Sequence, residues 1–71
     1  MMSNELRYIL GCVGEADQAI ARGDFSTARD IQADLAAGDF MEREVGAVIV
    51  GNSIDRARET LTKQVFERRA V

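Results

Sequence analysis

The sequence predicts a small all-α fold, a helical hairpin-type bundle of three to four short helices completed by homodimerisation. Three observations carry this. Apolar residues recur at helical i, i+3, i+4 spacing along most of the chain. The run Gly-Asp-Phe occurs twice, at Gly23-Asp24-Phe25 and Gly38-Asp39-Phe40, each time after alanine-rich sequence and before charged, helix-favouring residues. The third is size: 71 residues, of which 46% are apolar but ten are alanine, bury too little to stand comfortably alone. Residues 1–71 read as one domain.

A first helix begins at Ser3 or Asn4, either of which can cap it, and runs to about Arg22. Leu6, Ile9, Val13, Ala16 and Ile20 mark its inward face, with Leu10 beside it. Gly23 then closes the helix in a left-handed conformation, and the Asp24 carboxylate accepts backbone N–H bonds from the next. The second helix turns Phe25, Ala28, Ile31 and Leu35 to one side until Gly38. Asp39 is the expected cap of a third helix, with Glu42 at capping-box spacing, and Met41, Val45, Val48 and Ile49 are its expected inward face. Residues 45–50 are rich in β-branched side chains and would also suit a strand. Helix is favoured, because a lone two-stranded sheet with residues 8–13 would be marginal. Gly51-Asn52-Ser53 reads as a stop and a new cap, with Ser53 opening a last helix that presents Ile54, Ala57, Leu61 and Val65 and ends near Arg69. If Gly51 does not break the chain, one long helix runs from Met41 to Arg69.

The stretch from Arg22 through Ala28 resembles the turn of a tetratricopeptide hairpin, where Gly-Asp, an aromatic and a small alanine recur. The likeness covers one hairpin. Upstream stand Cys12, Glu15, Ala16 and Ala19 where that family places large residues and a glycine, and no proline closes the unit. A solenoid of about three stacked repeats has no room in this length. The resemblance implies hairpin geometry and nothing of function.

Chemistry is constrained by what is missing. The chain has no His, no Trp and one cysteine, Cys12. An internal disulfide framework is excluded, and a Cys/His zinc site has no ligand set. The usual general base near neutral pH is absent. Cys12 has Glu15 one turn on, which opposes thiolate formation. Asp30 and Asp34, also one turn apart, read as a solvated helix face sooner than a cation site. Gly11-Cys12-Val13-Gly14 is a poor match to a phosphate loop. No enzyme is expected, no cofactor and no metal. One thiol and no leader pattern favour a cytoplasmic setting.

Charge is unevenly spread: residues 1–51 hold nine acids and four bases, whereas residues 52–71 hold three acids and five bases. Arg56, Arg58, Lys63, Arg68 and Arg69 could form a patch for an acidic partner. Helix-dipole complementation and a Glu59–Lys63 pair explain them more simply. Net charge of -3 argues against nucleic acid.

Residues that break the pattern suggest surfaces. Asp17 falls inside the apolar stripe of the first helix. Tyr8, Cys12 and Ala19 form a second strip on it, expected to be the oligomer interface. Phe66 lies off the last helix's stripe beside Thr62, Arg58 and Arg69, the expected partner-binding set. The expectation is therefore a non-enzymatic module that binds another protein and modulates its activity, inhibition being the favoured direction, of the kind used as small regulators or phage accessory proteins. The alternatives are an oligomer binding a small phosphorylated ligand or nucleotide through Tyr8 and helix-end arginines, and, more weakly, a nucleic-acid-binding dimer.

Overall fold

The computed structural model describes residues 3–69, the side chain of Arg69 excepted. Three helices make up the fold: α1 (Asn4–Ala21), α2 (Phe25–Ala36) and α3 (Met41–Arg69). Each packs against the other two. No strand occurs among the described residues, so residues 45–50 are helical.

The start of α1 is set by Ser3, whose hydroxyl oxygen accepts the Leu6 N–H at 3.1 Å. Its end is a Schellman turn. Gly23 has φ +77, the only positive φ among the described residues. Its N–H donates to the Ile20 carbonyl at 2.9 Å, and the Asp24 N–H donates to the Ala19 carbonyl at 2.8 Å. Asp24 then caps α2. Its carboxylate accepts the Thr27 N–H at 3.2 Å and the Thr27 hydroxyl at 2.6 Å. These bonds hold the Asp24 carboxyl below its ordinary value, the hydroxyl bond contributing most.

The second Gly-Asp-Phe works differently. Gly38 keeps negative φ, and the Asp39 side chain makes no hydrogen bond among the described residues. The Phe40 carbonyl instead accepts the Arg43 and Glu44 N–H groups at the start of α3. Asp39 is therefore not a cap. The repeated tripeptide encodes one tight helix-to-helix turn and one looser connection.

Ser53 is not a cap either: it lies inside α3, which runs unbroken for 29 residues, and three helices stand where three to four were expected. The glycines inside α3, Gly51 among them, are contact points. A Cβ on Gly46 would lie 2.8 Å from Ile9 Cγ2 and 3.4 Å from Leu35 Cδ1, and one on Gly51 would lie 2.6 Å from Gln32 Nε2. Burial of Val50 and Ile54 on either side of Gly51 offsets the poor helix propensity of glycine.

The core is thin and built from small residues. Ile9, Ala16, Ala19, Ala28, Leu35, Ala47, Val50 and Ile54 are buried, with Cys12, Val13, Ile20, Phe25 and Ile31 packed around them. Here α3 departs from the sequence reading. Its inward face is Gly46, Ala47, Val50 and Ile54, whereas Met41, Val45, Val48 and Ile49 face outward. Ile9 and Leu35 project from the α1–α2 pair, so only a face of small residues lets α3 settle onto them. Asp17, within the apparent stripe of α1, is exposed.

The helices are unequal. At about 1.5 Å per residue, α3 is roughly 43 Å long against roughly 27 Å for α1 and 18 Å for α2. Its second half has little to pack against, and every residue from Arg58 to Arg68 is exposed. Leu61 and Val65 continue the inward stripe beyond the point where α1 and α2 cover it, so they are surface residues. The molecule measures 51 × 19 × 18 Å with a radius of gyration of 14.3 Å, against roughly 11 Å for a compact chain of this length.

Two expected outcomes test this packing. Gly46→Ala pushes against buried, β-branched Ile9 and should destabilise the chain by about 1–3 kcal/mol. Gly51→Ala meets only the flexible end of Gln32 and should stabilise it by about 0.5–1 kcal/mol. Opposite signs in thermal melts support the contact; equal signs would place the close approach elsewhere. Among the caps, Asp24→Ala should lower Tm by roughly 4–8 °C, while Asp39→Ala leaves it unchanged. A comparable drop for both would restore Asp39 as a cap.

Candidate protein-binding surfaces

Three surface features are distinct: a polar clasp across the helices, an apolar groove between α1 and α3, and the projecting end of α3.

The clasp is centred on Arg43 at the start of α3. Its Nε donates to Glu5 Oε1 on α1 at 2.7 Å, the only ion pair among the described residues. Its guanidinium lies 5.1 Å from the centre of the Tyr8 ring, a cation–π arrangement. Its aliphatic stem crosses Gly38, where a Cβ would collide with Arg43 Cδ. The Tyr8 hydroxyl in turn donates to Asp34 Oδ2 on α2 at 3.0 Å. One arginine and one tyrosine thus tie all three helices at the end where the chain passes from α2 to α3. Glu5 holds the Arg43 guanidinium above its ordinary value. The Asp34 carboxylate, and after it the adjacent Cys12, push Tyr8 from 10.0 up to about 12, since phenolate there would face another acceptor.

This places the expected oligomer strip. Tyr8 faces α2 and is engaged with Asp34. Cys12 is half-buried against the core. Ala19 has no exposed surface. The strip turns mainly to the chain's own α2, so Ala19 cannot touch a second copy. The cleft beside Tyr8 carries Glu15, Asp30 and Asp34 against one cation, Arg7. That electrostatic balance opposes a phosphate there. No group of three or more metal-ligating side chains occurs among the described residues, and Gly11-Cys12-Val13-Gly14 is helix interior.

The groove is lined by Leu6, Leu10, Val13, Met41, Val45 and Ile49, with Glu42 at its edge. Met41 is 75% exposed and Val45 52%. Sequence reasoning assigned most of these residues to the core. The available signal was residues 45–50, too uniformly apolar for a helix with one inward face.

On the projecting end, Phe66 is 74% exposed. It shares an open depression with Arg58, Thr62 and Lys63, so three of the four expected partner-binding residues are adjacent. The side chain of the fourth, Arg69, lies outside the described residues. Leu61 and Val65 lie on the neighbouring face and, with Thr62 and Phe66, line a second depression. The expected Glu59–Lys63 pair does not form. No helix among the described residues is long and apolar enough to cross a membrane. No family model, curated protein or solved structure matches the chain.

The clasp predicts a pH response with a definite sign. Tyr8 is the chain's single tyrosine, so phenolate absorbance reports it alone. Its folded value lies above its ordinary one. The stability it contributes is therefore present below about pH 10 and is lost as pH rises from there through about 12. Titration of the folded chain should give a midpoint near 12, and Asp34→Ala should bring it back toward 10. A midpoint indifferent to Asp34 would mean the hydroxyl does not donate to that carboxylate.

Proposed function

We propose that this chain is a non-enzymatic protein-interaction module, a cytoplasmic helical hairpin-type bundle completed by homodimerisation, that binds another protein and modulates its activity, inhibition being the favoured direction. One observation carries the reading. The second half of α3 holds an aromatic, Phe66, 74% exposed, beside Arg58, Thr62 and Lys63, with Asp55, Glu59 and Glu67 around the same depression. Interface anchors have this composition: a large aromatic with little conformational entropy to lose, flanked by a cation and by groups able to hydrogen-bond. An amphipathic helix end of this kind suits a hydrophobic groove on a partner. The chain has no His, the commonest general base near neutral pH. The use of such small acidic helical chains as regulators, phage accessory proteins among them, is an analogy of size and composition.

The experiment is a comparative pull-down from the native host with wild-type chain and a Phe66→Ala, Arg58→Glu double variant. The variant should keep wild-type helicity and Tm, because neither side chain contributes to the core, while affinity for the captured protein falls at least roughly thirtyfold. Adding wild-type chain to the captured protein should lower its activity. Equal capture by wild type and variant would move the binding surface away from Phe66.

A further inference from the structure

We infer that the α1–α3 groove is a second docking surface, which takes one amphipathic helix of another protein whose apolar stripe carries a Lys or Arg at each end, about eleven residues apart. It does not depend on the Phe66 surface, which lies roughly 25 Å further along α3 than Ile49, where the groove ends.

The walls set the occupant's shape. Glu5 meets Arg43, and Ile9 lies against Gly46, so α1 and α3 run parallel. Leu6, Leu10 and Val13 on one wall and Met41, Val45 and Ile49 on the other form a straight apolar trough about 12 Å long. A further helix laid in such a trough extends the bundle by ridge-into-groove packing. An extended strand would find no free backbone edge there to pair with.

Charge sets the occupant's chemistry. Glu42 stands at one end of the trough. At the other, the α1 wall runs into Asp17, which follows Leu6, Leu10 and Val13 at i+11, i+7 and i+4 and so shares their strip. This is the carboxylate that interrupts the apolar stripe of α1. Both carboxylates are exposed, and neither forms an ion pair among the described residues. Arg56, the first cation further along that side of α3, does not pair with Asp17. Glu42 is level with the start of α1, so the two acids stand about 18 Å apart along the axis, the rise of roughly eleven or twelve residues in a facing helix. An apolar stripe with a cation at each end meets both. Acids at both ends oppose a phospholipid surface or a nucleic acid in the same place.

The test uses the full-length chain and two labelled, alanine-rich helical peptides, with binding read by fluorescence anisotropy. One carries Lys, Leu, Leu and Lys at i, i+4, i+7 and i+11; the other has Glu in place of both Lys. The Lys peptide should bind at least about tenfold more tightly at low salt, and the margin should shrink as salt rises. Asp17→Lys/Glu42→Lys should reverse the preference, and Val45→Lys should lose the Lys peptide. Phe66→Ala/Arg58→Glu should bind it as wild type does, which separates this surface from the one proposed above. Equal affinity for the two peptides, no binding of either, or Lys-peptide binding that survives Asp17→Lys/Glu42→Lys overturns the inference. Sedimentation velocity tests the rival occupant: self-association that Val45→Lys abolishes would seat a second copy in the groove and overturn it too. Helicity is read for every variant. Should Val45→Lys lose it, Met41→Lys takes its place at a site 75% exposed.

Discussion

The close seat of α3 on α1 and α2 at Gly46 determines the rest of this structure. Ile9 and Leu35 rise from the first two helices into the space that a side chain at position 46 would occupy. Any larger residue there would hold the helices apart and uncover Leu35 and Val50, the largest fully buried side chains. Alanine at positions 16, 19, 28 and 47 serves the same end. Small residues bring backbones near, and dispersion contacts between close backbones replace the volume that larger side chains would have filled.

That seat has two consequences. With small residues inward, the bulky ones of the first half of α3 must point out, which opens the apolar groove beside α1. And because α1 and α2 are much shorter than α3, the inward stripe outruns its cover, leaving Leu61 and Val65 in water. Uncovered apolar surface on this scale is uncommon in a chain that functions alone. The proposals of a second copy and of a foreign partner are both answers to it.

The Arg43 clasp plays a different part. Exposed ion pairs and cation–π contacts contribute little to stability individually. Their value here is geometric: Glu5 and Tyr8 meet Arg43 only when α3 enters at one angle and one rotation. The clasp thus favours the rotation that the Gly46 contact requires. The acidic cleft beside it follows from the same arrangement, since Asp34 must face Tyr8.

Helix content, the start of α1 at Ser3 and the turn at Gly23 and Asp24 were legible in the sequence, because each depends on groups within a few residues of one another. A left-handed glycine and a capping carboxylate act locally. Phe66 could be singled out for a similar reason: helical periodicity alone shows it off the stripe. Asp39, Ser53 and the inward face of α3 were not legible. Gly51 looks like a helix break when only the chain beside it is considered, yet it lies inside α3 where Gln32 comes close, and Gly46 is where Ile9 does. Which of two apolar faces of α3 turns inward depends on the relief of helices distant in sequence. Tertiary structure decided that, because packing rewards fit between surfaces and periodicity records only hydrophobicity.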